Sequence, residues 1–527
     1  MTDDAPPLTG PDLTMGVHAS ELAEGVPLLG HALGEPVLLV RCDGRLRAVG
    51  ASCPHYGGPL ADGLVVDGAI RCPWHHAAFS LDTGDVLRPP ALAGLSCWTV
   101  AERDGLALVT GRRAAAARPP AGEPGGGSAR REAGRAAGRP ESVVVIGGGA
   151  AGAAAVHTLR SAGYDGPVTL VSAEPNAPVD RPNLSKDYLA GSAPAEWLPL
   201  EPPAWYDEQE VTLRTGRRVT RLDPAGRRVL LDDGSALPYG ALLLATGAAP
   251  VRLPLGDQAP VHYLRTLDDS QAIVHRAEAA RSAVVLGASF IGLEVAAALR
   301  TRGLAVTVVA PDAVPMERVL GTVLGRFVRE LHEEHGVTFR LGRTAKAAEA
   351  DGVLLDDGTR VAAELVVAGV GVRPDVALAT AAGLATENGV LVNAQLETSA
   401  PGIFAAGDVA RWPDPHSGRP IRVEHWVLAE RQGQTAARNI LGAGERFDAV
   451  PFFWSAHYDV SIRYVGHAER PERVEVDGDP GARDCAVRYL EGGRVAAVAT
   501  IGRDRASLAA EAAMEHALGG GAAVGAA

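Results

Sequence analysis

Val143-Val144-Val145-Ile146-Gly147-Gly148-Gly149-Ala150-Ala151-Gly152 is a run of four apolar β-formers that breaks into glycines and then into alanines. A buried strand that turns sharply into a helix leaves the first N–H groups of the helix open, and small residues in the turn let a pyrophosphate reach them. Glu174 follows at the end of the next strand-like run, where a carboxylate can bind ribose hydroxyls. The pattern returns at Gly287-Ala288-Ser289-Phe290-Ile291-Gly292, with Ser289 in place of the middle glycine. Strand-like runs at 242–245, 284–286, 306–309 and 365–368 alternate with helical stretches, as parallel sheets require. The repeat predicts two dinucleotide-binding units.

Upstream, the grammar is different. Between residues 13 and 111, short β-branched runs are separated by Asp43-Gly44, Asp67-Gly68 and Asp104-Gly105, strong hairpin signals that predict a small all-β domain. Two of its loops read Cys53-Pro54-His55 and Cys72-Pro73-Trp74-His75, each with one thiolate and one imidazole to offer. Two sulfurs can hold one iron and two ring nitrogens the other, the Rieske arrangement of a 2Fe-2S cluster. A Cys2His2 zinc site and two unrelated surface turns are the lesser readings, since this spacing is not that of a zinc finger. His76 reads as a loop residue, because four ligands are already supplied. The segments 56–60 and 79–84 resemble the loops of Rieske ferredoxins. Where high-potential Rieske proteins add two cysteines and a serine, nearby positions here read Gly57, Gly58, Ala77 and Ala78. Fewer hydrogen bonds to sulfur predict a potential near the low end of the Rieske range, about −150 mV.

The whole chain has 527 residues, 46% of them hydrophobic and 21% charged, with a net charge of −13. That length predicts several domains, and that charge argues against a nucleic-acid partner. A basic electron carrier suits it better. Residues 112–140, built almost wholly of Ala, Gly, Pro, Arg and Glu, predict a flexible linker. No apolar run reaches about 18 residues, and the first dozen residues lack a signal-peptide pattern, so no membrane span and a cytoplasmic location are expected. Five cysteines at 42, 53, 72, 97 and 485 include no Cys-x-x-Cys pair near either glycine motif. A redox disulfide therefore has no residues to form from.

From residue 141 to about 470 the motifs resemble the apoptosis-inducing-factor-like and ferredoxin reductase branch of FAD-dependent pyridine nucleotide oxidoreductases, and the N-terminal fusion resembles its Rieske-bearing members. Asp180-Arg181-Pro182-Asn183-Leu184-Ser185-Lys186 matches the segment whose Arg and Lys lie against the flavin. Ala245-Thr246-Gly247 is similar to the turn that crosses FAD, and Ile403 to Asp408 to the motif whose Asp binds the ribityl chain. Glu424-His425-Trp426 and Phe453-Trp454-Ser455 resemble the segments that line the flavin ring, and Gly371-Val372-Arg373-Pro374 a turn near the nicotinamide. The resemblance implies FAD contacts from Gly147, Gly149, Gly152, Glu174, Arg181, Lys186, Thr246, Gly247, Asp408, Glu424, His425, Trp426 and Trp454. It implies nicotinamide-side contacts from Gly287, Ser289, Phe290, Ile291, Gly292, Glu294 and Gly371. Lys186 is one of only two lysines in the chain, which makes its position in this segment informative. With Glu294 it is expected to form a partly buried ion pair at the reactive edge of the flavin.

The expected architecture is multidomain. It comprises a Rieske domain at 13–111, the linker at 112–140, and a Rossmann-like FAD domain from 141–255 and 388–448. An inserted NAD(P)H domain at 256–387 and an α+β domain at 449–527, ending in a mobile tail, complete it. The strand before Ala310-Pro311-Asp312 offers an acid and no adjacent arginine, which favours NADH over NADPH. The expected function is transfer of electrons from NAD(P)H through FAD to the chain's own Rieske cluster and on to an acceptor, a redox protein or an oxygenase. Three rivals stand beside it: a terminal Rieske oxygenase, which lacks its mononuclear iron motif here, a redox signalling protein with slow NADH oxidation, and a flavin-site reductase of a small molecule with a structural Rieske domain. His332 and His335 lie in a charged helical stretch that reads as solvated.

Overall fold

Each of the three Asp-Gly pairs turns a hairpin. Asp43, Asp67 and Asp104 take φ of 52°, 52° and 48°, and the following glycines 69°, 72° and 75°, the two positive φ values that a two-residue turn needs to match the twist of its strands. The computed structural model describes residues 8–113, 139–256 and 260–518. The linker expected at 112–140 falls almost wholly outside the described residues, as does the tail beyond 518. Two units are distinguished: residues 1–139 with 503–527, and residues 140–502.

Among the described residues the first unit is β-structure apart from two short 3-10 turns, Ala19–Glu21 and Leu60–Asp62, and its last element. A six-stranded antiparallel sheet includes the hairpins Glu35–Cys42/Arg45–Gly50 and Cys97–Arg103/Leu106–Arg112. A second sheet of four short strands, Leu64–Val66, Ala69–Arg71, Ala78–Ser80 and Val86–Arg88, carries the second Cys-His loop between its middle pair. Leu38, Val40, Ile70, Phe79 and Leu81 fill the space between and close over Cys53 and Cys72. The helix Asp504–Leu518 also belongs to this unit. Of the segment 449–527, expected as one α+β domain, the sheet groups with the second unit and the helix with the first.

The second unit repeats one design. Val143–Ile146 sits in a five-stranded parallel sheet between Val168–Val171 and Ala241–Leu244, with Val211–Arg214 and Ile403–Ala405 at the edges. Ser282–Leu286 holds the same place in a second parallel sheet, flanked by Ala305–Ala310 and Leu365–Ala368. Strands buried on both faces need continuous apolar runs, and all four residues of Val143–Ile146 and of Leu365–Ala368 are buried. A five-stranded antiparallel sheet from Phe452–His457 to Arg494–Ile501 packs its core with the second parallel sheet. The helix Glu317–Glu334, broken by a kink at Gly321, is amphipathic rather than solvated throughout. His332 lies on its apolar face, fully buried against His457, which corrects the sequence reading; His335 is half-buried and stacks on Tyr458.

Candidate functional site

In the first unit, the two Cys-His loops are built alike and face one another. Cys53 donates its N–H to Gly58 O and accepts from Gly57 N; Cys72 donates to Ala77 O and accepts from His76 N. Both thiols are buried, at 3% and 1% exposure, and they hydrogen-bond to each other, which together with burial holds the Cys53 thiol above its ordinary range. The imidazoles of His55 and His75 meet with Nδ1 atoms 3.1 Å apart, and burial pulls His55 down to about 4, so the ring is neutral and able to ligate. The two thiols pair with each other and the two imidazoles with each other, the grouping that a dinuclear cluster with sulfurs on one iron and nitrogens on the other requires. The donor set therefore fits a 2Fe-2S cluster. Tyr56, 42% exposed, lies 4.1 Å from His55 and 5.8 Å from His75 between ring centroids, so the histidine side borders the surface.

In the second unit, the carboxyl ends of the strands open into one cavity of about 1490 Å³. Gly147, Gly149, Glu174, Arg181, Lys186, Thr246, Gly247 and Asp408 line it. So do Glu424, His425, Trp426 and Trp454, and from the second glycine motif Ser289, Phe290, Ile291, Glu294 and Gly371. Gly152, Gly287 and Gly292 lie behind the wall. A Cβ on Gly152 would meet Gly147 O at 1.9 Å, so this glycine serves the close packing of helix on turn. The helix Ala150–Ser161 has Gly149 as N-cap and no side-chain cap, leaving its N–H groups for a ligand. The second helix differs. Ser289 caps Phe290–Thr301 by accepting from Gly292 N and donates its hydroxyl to Gly369 O at 2.6 Å.

The charges in the cavity come in pairs. Arg181 meets Glu174, and Arg265 reaches Asp408 at 2.9 Å. Lys186 Nζ lies 2.9 Å from Glu294 Oε2 and 5.8 Å from the Trp454 ring centroid. Glu294 is buried and also accepts from Ser185 at 2.6 Å and Ser455 at 2.7 Å. Since Ser455 spends its proton on Glu294, His457 donates from Nε2 to Ser455 (3.0 Å), and its Nδ1 accepts from His332 Nε2 (3.2 Å). The remaining His332 Nδ1 is then a bare lone pair, and it has no partner among the described residues. Burial, aided by Lys186, lowers His457 to about 3, and burial lowers His425, stacked on Phe453, to about 3. Burial raises Asp180 to about 7, against the pull of Lys186.

Arg265 and His457 were not among the residues singled out from sequence, and His332 was read there only as part of a solvated helix, because nothing local ties them to the cavity. Gly433 offered a signal, a glycine inside the helix Trp426–Ile440. A Cβ there would meet Ala151 O at 2.2 Å, so this helix presses on the first turn of Ala150–Ser161. One reading from sequence needs correction. An arginine does stand near the acid that follows strand Ala305–Ala310: Arg318 lies 3.5 Å from Asp312, both on the surface.

The pattern of the pyridine nucleotide-disulphide oxidoreductases matches residues 141–433, more than half of the chain. The chain belongs to that family. Its first domain matches the Rieske [2Fe-2S] pattern at 13–99, and residues 452–523 match the reductase C-terminal pattern. The anthranilate 1,2-dioxygenase system ferredoxin–NAD(+) reductase component of Burkholderia cepacia is 40% identical over 66% of this chain and 87% of that protein. Human apoptosis-inducing factor 3 is 32% identical over 89% of this chain and 78% of that protein. Among solved structures, the reductase of a covalent putidaredoxin reductase–putidaredoxin complex superposes with a TM-score of 0.69 at 37% identity, over 71% of this chain and 93% of that one. The oxidoreductase uses FAD and NAD(P)H and carries a Rieske cluster. All five cysteines are free and buried, so the disulphide of the family's name has no counterpart here. Among the described residues no helix is long and apolar enough to cross a membrane.

Proposed function

We propose that this oxidoreductase takes electrons from NADH at the cavity of its second unit and delivers them to the Rieske cluster of its first, from which an external redox protein or oxygenase draws them. The observation that carries this reading is the presence of a dinucleotide cavity and a Cys2His2 cluster site in one chain whose cysteines form no disulfide. FAD, when bound, accepts electrons in pairs and releases them singly, and a 2Fe-2S cluster takes one. The rest falls to the residues. Gly147, whose own N–H is spent on Val171 O, makes the turn, while Gly149 and the uncapped first turn of Ala150–Ser161 present open N–H groups to a pyrophosphate, Glu174 a carboxylate to ribose, and Asp408 a carboxylate to the ribityl chain. Lys186, held by Glu294, places a cation where negative charge develops during reduction, a placement that costs no rearrangement at the moment of reaction. Trp426, Trp454 and His425 wall the ring site against water. Phe290, Ile291 and Gly371 take the nicotinamide side, and Ser289 keeps the second turn narrow.

The relatives named as ferredoxin reductases support an external protein acceptor, and the exposed Tyr56 edge beside His55 and His75 offers it a way in. The test is anaerobic mixing of holoprotein with NADH, followed by absorbance and low-temperature spin resonance. Flavin bleaching should come first and the reduced-cluster signal second, at a rate independent of protein concentration. A cluster that stays oxidised through many flavin turnovers would overturn the route. The match to apoptosis-inducing factor 3 spans both units and favours one second reading, a signalling protein with slow turnover. That reading expects NADH oxidation that no electron acceptor accelerates.

A further inference from the structure

The two ligand loops of the first unit share one backbone design, and they differ in the residue that makes its left-handed turn. Four residues after each cysteine the chain turns through the left-handed region, at Gly57 with φ 73° and at His76 with φ 61°. The first loop fills that position with glycine, which adopts the conformation freely. The second fills it with a histidine, which does not. A side chain placed where glycine is favoured is there to be used, and its contacts show how. His76 is fully buried; its Nδ1 lies 2.9 Å from Glu511 Oε2 and its Nε2 3.3 Å from Ser507 Oγ, both on the C-terminal helix.

The other end of the same loop is held by the same helix. Arg71, the residue before Cys72, is 3% exposed and reaches Glu511 at 3.4 Å and Glu515 at 2.8 Å. Ser507, Glu511 and Glu515 recur at every fourth position, so one face of the helix addresses both flanks of Cys72-Pro73-Trp74-His75. Glu511 is fully buried. A buried carboxylate is tolerated where donors surround it, and here Arg71 and His76 do so.

From this geometry we infer that the C-terminal helix is a clamp on the Rieske site, and that Glu511 is a positioning residue which fixes the second ligand loop through His76 and Arg71. The helix lies inside the segment matched by the reductase C-terminal pattern, residues 452–523, yet its polar face is given to the cluster loop. It also makes a second covalent crossing between the units, at 502/503, besides the one at 139/140. The buried charge of Glu511 acts on the cluster as well: a fixed anion near the site disfavours an added electron. The inference rests on the Rieske assignment.

The experiment compares full-length wild type, Glu511→Ala and Glu511→Gln by iron and sulfide content per flavin, reduced-state g values and midpoint potential. Glu511→Ala removes the carboxylate that joins His76 to Arg71 and leaves the loop held on one side by Ser507 and on the other by Glu515, so cluster content should fall at least threefold while FAD content stays unchanged. Glu511→Gln keeps the shape and an acceptor oxygen without the charge, so it should restore the cluster, with shifted g values and a more positive potential. Wild-type content and spectrum in Glu511→Ala would overturn the clamp. Should that variant fail to fold, unchanged g values and potential in Glu511→Gln would overturn it. Failure of the Rieske assignment looks different: wild type itself would then give no Rieske signal.

Discussion

Lys186 and Glu294, 108 positions apart, meet at 2.9 Å in the wall of the cavity, and Glu294 is the more deeply buried of the two. Three donors converge on this one carboxylate: Lys186, Ser185 and Ser455. Removing either member of such a pair leaves the other charge stranded. Lys186→Ala and Glu294→Gln should therefore slow flavin reduction by NADH, by about tenfold to a thousandfold, the scale at which preorganised charges act. Stopped-flow absorbance of FAD-loaded protein reads this directly, and unchanged rates in both variants would make the pair purely structural.

The string from Glu294 through Ser455 and His457 to His332 predicts a pH dependence of stability. His457 sits at about 3 in the folded chain against an ordinary 6.5, so between those values unfolding takes up a proton and stability rises with pH. Asp180, at about 7 against an ordinary 3.8, acts the opposite way, since unfolding releases its proton in that window. At pH 5, His457→Gln should lower the slope of unfolding free energy against pH by about 1.4 kcal/mol per pH unit, and Asp180→Asn should raise it by a similar amount. Denaturant titrations between pH 4.5 and 6 measure both slopes. An unaltered slope in His457→Gln would mean that the folded chain already carries a proton there.

The features legible in the sequence are those written in short stretches. The Asp-Gly turns, the strands before Gly147 and Gly287, and the two Cys-His loops each carry their signal within a few residues. Lys186 stood out because lysine is so scarce in this chain. What escaped depends on a partner distant in sequence. His332 lies among Glu and Arg residues that belong to the solvent face of its helix, and only the approach of His457 shows which face it occupies. His76 looked like spare loop, because its use is set by Glu511. Arg318 reaches Asp312 only because the chain folds back into the helix Glu317–Glu334.

Gly433 offers a test of how the cavity floor is built. Adding a methyl group would drive it to 2.2 Å from Ala151 O, backbone that cannot yield without moving the turn after Val143–Ile146. Overpacking of this kind costs about 1–3 kcal/mol. Gly433→Ala should lower the melting temperature by several degrees and weaken FAD retention on gel filtration, with the Rieske spectrum intact. Full FAD retention would show that the two helices separate without disturbing the turn.

Coenzyme choice can be read at Asp312 and Arg318. An acid at the end of the second strand favours a ribose with free hydroxyls, and a guanidinium favours a 2′-phosphate. With Arg318 3.5 Å away, Asp312 both repels the phosphate and occupies the cation. Asp312→Ser should therefore shift the kcat/KM ratio toward NADPH by about tenfold, the scale of one charged contact. A ratio that does not move would place the selecting residues elsewhere.

Severing residues 119–135 separates two accounts of what ties the Rieske domain to the rest of the chain. If the linker alone tethered it, cutting would release the domain and make cluster reduction slower and dependent on protein concentration, since the tether's effective concentration, about millimolar, would be lost. If the C-terminal helix clamps the domain, the larger fragment still ends in Ser507, Glu511 and Glu515, and the smaller one still presents Arg71 and His76. The fragments should then co-elute on gel filtration, and cluster reduction should remain independent of concentration. Charge-assisted contacts weaken with salt, although buried pairs are screened less than exposed ones, so the association should tolerate moderate ionic strength. The same cut made in Glu511→Ala should free the Rieske fragment and restore the concentration dependence. Release of the domain by the cut alone, with Glu511 intact, would show that the helix contacts are too weak to replace the linker.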